Sequence, residues 1–329
     1  MANEVFSPKD FQAWIIEEAT PGTAPTFTSA AYQLDVDSVS IPSLSPTQVT
    51  GVRSRAGRVL HQDDFFQDNK IKSTEVTLSG TFHIDGGHLI LMQSVAGNTI
   101  TPAAIADVSV AAAATGVSGK YGTGQTDATF SLILAPPDYT GGNNVLLTGC
   151  LCTGFTLSAD TGTDGGVYKF SATISTGFVP TTNNTANPGS NAYGANHIAI
   201  TTLSAKKVYA LDVVMSSFDV TIESPAVYTG FSSNGYEAFS RGEEISITAN
   251  ASVKYDEVTK VLYHNFNNQS NHIEDNLFTM TQTTATDCSV SMPDGILTDV
   301  SFNEGDVMML DVAMKAVTGD HAPITFDLA

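Results

Sequence analysis

Apolar and polar positions alternate along several short runs of this chain, and each run predicts a half-buried β-strand. One run begins at Glu75 (EVTLSGTFHI) and another at Glu244 (EISITANASVKY). Each then changes to a helical period, carried by Leu89, Met92 and Val95 in the first and by Val258, Val261, Leu262 and Phe266 in the second. Gly97 stands just past the first helix, a common stop signal. Two later runs also alternate. Residues 167–175 set Tyr168, Phe170, Ala172 and Ile174 on one face, and residues 307–315 do the same with Met308, Leu310, Val312 and Met314.

These runs read as copies of one another. Without a gap, Val76, Leu78 and Ile84 match Ile245, Ile247 and Val253, while Thr77 and Ser79 match Ser246 and Thr248. Residues 130–132 (FSL) match 278–280 (FTM), and 152–157 (CTGFTL) match 297–302 (LTDVSF). A weaker match opens each copy, 37–41 against 218–222. Similar blocks in the same order argue for duplication. The expectation is a mainly β protein of two tandem β-sandwich or barrel units, each with one flanking α-helix. The first spans 1–180, with a long loop at 42–74 and an Ala-rich insertion at 100–125. The second spans 205–329, and 181–204 (PTTNNTANPGSNAYGANHIA and its flanks) forms a linker or arm. At 329 residues, each unit is long enough to bury a core of its own.

Composition sharpens this picture. Charged residues make up only 15%, with Thr, Ser, Ala, Gly and Asn in their place, a blend suited to sheets and loops. Acidic residues number 34 against 14 basic ones, a net charge of −20. Such a surface does not hold nucleic acid by phosphate neutralisation, but it could line a conduit through which DNA slides. Solubility alone is the plainer account of the acidity. Cys150, Cys152 and Cys288 fit neither a zinc spacing nor a disulfide framework and read as small apolar residues in a reducing compartment. No run reaches the ~18 apolar residues of a membrane helix. The N-terminal MANEVFSPKDFQAW lacks a basic start followed by an apolar stretch, so no secretory signal is expected.

No catalytic constellation emerges. The seven histidines are scattered, and His83 and His88 lack the i, i+4 spacing of a helical metal site, so each reads as a satisfied surface residue. The Gly-rich pieces at 122–126 and 160–166 follow no strand-to-helix phosphate pattern and read as turns. Asp160 and Asp164, like Asp63, Asp64 and Asp68, lack the regular ligand spacing of a calcium loop and read as solvated acids. No cofactor and no metal are expected. One charged feature is unusual: three of the four arginines, Arg53, Arg55 and Arg58, lie in the long loop with Phe65 and Phe66. Apolar residues are costly to leave in water, so this loop is expected to dock on another subunit. A lid folded back on its own unit is the competing account.

The opening segment 14–25 (WIIEEATPGTAP), the strand near Val39, the Arg-bearing loop, the strand ending Ser79-Gly80-Thr81, the helix and the closing hairpin resemble, in that order, the tail tube (major tail) proteins of long-tailed phages. The likeness covers most of 10–180, and the repeat extends it to 205–329. That resemblance implies a non-enzymatic virion protein, assembled in the host cytoplasm, whose domains form sixfold rings stacked into a hollow tube. With two domains per chain, three chains would close a pseudo-sixfold ring. Implied partners are other copies of the chain, the tape measure, terminator and distal tail proteins, and DNA passing without specific binding; no membrane is implied. Unpaired strand edges are a template for such assembly. Candidates for a small polar sheet face, luminal or otherwise, are Thr77, Ser79, Thr81, Ser246, Thr248 and Asn250. Two other classes compete. One is a surface β-sandwich that adheres or binds glycans, and the missing signal and disulfides weigh against it. The other is a calcium-dependent hydrolase, which lacks a convergent acid, base and nucleophile.

Overall fold

The computed structural model describes residues 7–27, 31–42, 47–50, 65–68, 74–103, 107–110, 129–136, 144–183, 191–194, 198–229, 238–241, 245–268, 272–281, 288–305, 307–317 and 321–328. It is mainly β, with large antiparallel sheets and two α-helices among the described residues. The first half runs β1 (Gln12–Glu17), β2 (Tyr32–Leu34), β3 (Val36–Val39), β4 (Thr47–Thr50), β5 (Phe65–Asp68), β6 (Thr74–Thr81), α1 (Gly86–Ala96), β7 (Val108–Ser109), β8 (Phe130–Ala135), β9 (Asn144–Asp160) and β10 (Lys169–Thr176). After β11 (Thr181–Asn183) the second half begins with β12 (Ala205–Val208), β13 (Leu211–Asp212), β14 (Met215–Glu223), β15 (Ala226–Thr229), β16 (Ala238–Arg241), β17 (Ser246–Lys254) and α2 (Lys260–Asn267). It closes with β18 (His272–Ile273), β19 (Phe278–Thr281), β20 (Cys288–Met292), β21 (Gly295–Glu304), β22 (Met308–Ala316) and β23 (Thr325–Leu328).

The main sheet runs in the order β18-β21-β22-β17-β14-β9-β10-β6-β3. Within it the pairing β3-β6-β10-β9 of the first half recurs as β14-β17-β22-β21 in the second. Even the irregularities recur. The β9–β10 ladder slips at Thr153, and the β21–β22 ladder slips at Thr298. Likewise β3–β6 slips at Asp37 and β14–β17 at Ser216. Bulges bend and twist a sheet at set positions, so matching bulges imply matching curvature. The remaining strands repeat too: β2-β1-β8-β9 has the same neighbours as β13-β12-β19-β20. In the first half β9 runs unbroken between both layers, whereas Pro293 and Asp294 divide β20 from β21 in the second. The second layer is therefore a separate six-stranded sheet, β13-β12-β19-β20-β23-β7.

These bulges correct the expected alignment of the copies, including the opening match, where 37–41 corresponds to 216–220 and not to 218–222. Leu78 sits between Ala172 and Val39, and its counterpart between Val312 and Phe218 is Ala251, four residues beyond Ile247. Leu89 of α1 then corresponds to Leu262, the buried residue of α2. Four residues preserve both a strand face and, nearly, a helix face, so periodicity alone tolerates the slip.

Three further expectations change. Instead of a core for each unit, one apolar cluster takes Val76, Leu78 and Phe170 from the first half together with Val220, Val253 and Leu310 from the second. The described parts of the segment expected as a linker or arm are packed: β11 pairs with β9, and Ile198, Ile200 and Leu203 enter the core. Part of the Ala-rich insertion, β7, pairs with β23 and so joins the first half to the last strand. A second, smaller cluster forms on the opposite face of β1 and β8 around Trp14, Ile16, Phe27 and Ile133.

Candidate assembly surfaces

One face of the main sheet carries the core, α1 and the second layer; the other is lined by hydroxyls. Along β6 the buried residues Val76 and Leu78 alternate with Thr77 and Ser79. Along β17, Ile247, Ala249 and Ala251 alternate with Ser246, Thr248 and Asn250. The ladder brings these positions into rows. Ser79, Ser171, Thr156, Thr221 and Thr248 lie side by side across five strands, and Thr81, Lys169, Ser158, Asp219 and Asn250 form the next row. All six positions expected on a polar face thus share one face. Thr81 is covered there, since Lys169 Nζ donates to its Oγ1 at 3.1 Å and lies 2.9 Å from Asp37 Oδ2. Asn250 Nδ2 donates to Asp219 Oδ2 at 2.8 Å.

A shallow depression of about 500 Å³ opens on this face. Asp160, Asp164, Asp219, Asp299 and Asp311 line it, and no Lys, Arg, His or Cys does. Asp160 is occupied with its own turn, accepting from the Gly162 N–H at 2.7 Å and from Thr163 Oγ1 at 3.2 Å. The depression is hydroxylated and negative, so a phosphate approaching it meets repulsion, while Lys169, paired with Asp37, and Lys315, opposite Thr248, lie elsewhere on the same face.

The two ends of the sheet are unlike its middle. β3 has β6 on one side and, among the described residues, no strand on the other. β21 has β22 on one side, and from Asp299 to Glu304 no described strand lies on the other. Ser40 N–H donates to Thr77 O at 2.9 Å, so by alternation the N–H groups of Val39 and Ile41 face the open edge. Beside β21, Phe302 packs against Tyr255 and Tyr263 with ring centroids 5.3 and 4.9 Å away, and Phe302 and Tyr263 stay exposed. Val258 and Val261, expected on the buried stripe of α2, are exposed as well, as is Met308 at the start of β22. That half of the stripe faces away from the chain's own core.

Arg53, Arg55 and Arg58 lie outside the described residues, as do Asp63 and Asp64. Phe65 and Phe66 open β5, which pairs with β4, so the long loop contains a two-stranded ribbon. A second ribbon, β15–β16, stands at the corresponding place between β14 and β17. Sequence reasoning missed it, although the Gly-, Ser- and Asn-rich stretch 230–235 between Tyr228 and Phe239 is a turn signal.

The histidines at the start of α1 are a correction: His83 and His88 are both 1% exposed. His83 Nε2 lies 3.0 Å from Asp35 Oδ2 and its ring stacks on Tyr193 at 5.4 Å. Asp85 caps α1, accepting from the His88 backbone N–H at 2.9 Å, lying 2.8 Å from His88 Nδ1, and accepting from the Gly194 N–H at 3.3 Å. Burial pushes the Asp85 carboxyl up, but the charge of His88 and the hydrogen bonds from His88 and Gly194 outweigh it and hold it below its ordinary value. The cluster joins the packed segment near 193 to the first helix.

Asp275, Asp294 and His321 bring their ligand atoms within 4.8 Å of one another. Asp294, which is buried, accepts from the Asp275 N–H at 3.2 Å and lies 3.0 Å from His321 Nδ1. Contacts within the group itself therefore account for its geometry. Cys150, Cys152 and Cys288 are buried, and no disulfide joins them. The Glu18 carboxylate gathers four donors, the N–H groups of Gly22 and Gly149 at 2.9 Å each and the hydroxyls of Thr129 and Ser131. No protein-family model matches the chain, and no curated protein matches it either.

Proposed function

We propose that this chain is a non-enzymatic structural protein of a phage tail, built of two tail-tube-like domains, and that three such chains close a pseudo-sixfold ring that stacks into a hollow tube for DNA. The observation that carries this reading is the recurrence of one strand order, bulges included, in two halves that already pair edge to edge through β9 and β14. A unit that adds to itself once within a chain has the means to add again between chains, and ring closure satisfies every edge.

The layering favours the polar face inward. The opposite face carries a helix and a second sheet, a thicker layer that fits the larger outer circumference. Hydroxyls and carboxylates then make up most of the lumen, together with Lys169, which is held by Asp37, and Lys315; the acidic depression repels phosphates and lets DNA move. The ribbons β4–β5 and β15–β16 stand at equivalent connections and suit contacts between stacked rings, with Phe65 and Phe66 in β5 and Arg53, Arg55 and Arg58 between β4 and β5 in the sequence. Under this reading the partners are further copies of the chain and the other tail proteins, in the virion.

Negative-stain microscopy of the purified protein tests it. Rings or tubes with a central channel are expected, and their formation should weaken when Arg53, Arg55 and Arg58 are all replaced by alanine. A protein that stays monomeric at every concentration and ionic strength tried overturns it.

A further inference from the structure

The seam between the two halves shows how this fold adds to itself. There β9 pairs with β14, setting Ala159 opposite Phe218, Ser158 opposite Asp219 and Leu157 opposite Val220. The matching bulges translate this ladder onto the two open edges, since Thr153 corresponds to Thr298 and Asp37 to Ser216. Leu157 becomes Phe302, Val220 becomes Ile41, Ser158 becomes Asn303 and Asp219 becomes Ser40.

The exposure of these residues fits that translation. Leu157 and Val220 are each 0% exposed, whereas Phe302 and Ile41 are 38% and 42% exposed. Tyr168 packs on Phe218 across the seam with centroids 5.2 Å apart; the counterpart of Tyr168 is Met308, 44% exposed, whereas that of Phe218 is Val39, which is already buried in the chain's own core. Ile90 of α1 is buried, while its counterpart Tyr263 of α2 is exposed. Phe302, Tyr263 and Met308 of the second half, and Ile41 beside β3, thus stand exposed where their counterparts are covered. Glu304, in the place of Ala159, is the exception, at the end of the ladder.

We infer that β21 and the exposed face of α2 form a docking surface for a second copy of this chain, which presents its β3 edge in the register of the internal seam: Val39 opposite Glu304, Ser40 opposite Asn303 and Ile41 opposite Phe302. This rests on the self-assembly reading and adds the partner edge and its register. Ile41 and Phe302 meet on the core side and exclude water beside Tyr263 and Met308. Ser40 and Asn303 extend the polar face from one chain to the next. Pro42 does not obstruct the ladder, because its position turns inward by alternation from Ser40 and no N–H is needed at the open edge there.

Cysteine pairing tests the register. Ser40 turns its N–H inward, so Ser40 and Asn303 would form a non-hydrogen-bonded pair, with Cα atoms about 4.5 Å apart, within disulfide reach. The diagonal Ser40 and Ser301 would lie about 7–8 Å apart, outside it. The double variant Ser40→Cys/Asn303→Cys, treated with a mild oxidant, should give a ladder of linked chains on a non-reducing gel. Each single variant and Ser40→Cys/Ser301→Cys should lose it. Independently, Ile41→Asp and Phe302→Asp should each abolish assembly while leaving the circular dichroism of the subunit unchanged. Assemblies visible by microscopy without the Ser40–Asn303 link, or with an equal link through Ser301, overturn the register and leave the tube reading standing. A wild-type chain that never assembles overturns both.

Discussion

Thr156 and Thr221 hold their hydroxyl oxygens 2.9 Å apart across the line where the two halves of this chain meet. They are directly opposite in the β9–β14 ladder, next to Leu157 and Val220, whose side chains are buried on the other face. Cross-strand pairs of this kind fix register, because a slip of one residue would exchange the polar and apolar faces.

Since that seam lies inside one continuous core, the unassembled subunit should unfold in a single transition. Leu157→Ala should lower its stability by about 2–5 kcal/mol and still show one transition by calorimetry. Two separable transitions, with only one moved by the substitution, would contradict a shared core.

Much of this arrangement is legible in the sequence. The alternation in 167–175 gives the buried set Tyr168, Phe170, Ala172 and Ile174, and Gly97 stops α1 in a left-handed conformation at φ 74. The match of 152–157 to 297–302 survives in the structure because both segments carry the bulging threonine. The β6 and β17 match does not, because a shift of four residues leaves the strand face unchanged and moves the helix by little more than one turn. Only tertiary pairing tells Ala251 from Ile247 as the partner of Leu78. Met308, Val258 and Val261 follow the apolar pattern and yet are exposed, since a pattern records that a residue is to be covered and not which chain covers it. The packing of 191–194 and 198–203 has no periodic signal at all, depending on isolated bridges such as Tyr32 to Asn191 and Val167 to Ala199.

The opening segment has a structural role that its resemblance alone does not reveal. Gly22 and Gly149 both have positive φ, 75 and 60, and a Cβ on either would come within 2.3 Å of the Phe178 ring. Glu18 ties both backbones together. Gly22→Ala should cost about 1–3 kcal/mol from backbone conformation and crowding. Glu18→Ala should cost about 3 kcal/mol, because two N–H groups lose their acceptor. Urea denaturation measures both, and unchanged midpoints would remove Glu18 from this role.

Asp85 makes the first helix sensitive to acid. Its folded carboxyl titrates below its ordinary value of 3.8, so its contribution is fully present above that value and lost as pH falls through the folded one. Asp85→Ala should destabilise the protein by about 2 kcal/mol at neutral pH. The gap between wild type and variant should narrow below pH 3.8. A gap that stays constant or widens in acid would assign the effect to packing.

The thiols should be inert while the chain is folded. Burial raises the Cys150 thiol well above its ordinary value, with the Glu18 charge adding to it, and Cys152 and Cys288 are also buried. Ellman's reagent at pH 8 should label none of the three until denaturant is added. A fast-reacting native thiol would contradict the packing of this region.

The central claim is that equivalent edges, already joined once within the chain, join again between chains around a channel. A cryo-electron microscopy reconstruction of the assembled protein tests this most directly. The account predicts rings of three chains, β3 of each beside β21 of the next, with Ser79, Thr156, Thr221 and Thr248 facing the channel. Rings of six full chains, or a wall in which these residues face outward and the β3 and β21 edges stay unpaired, would contradict it.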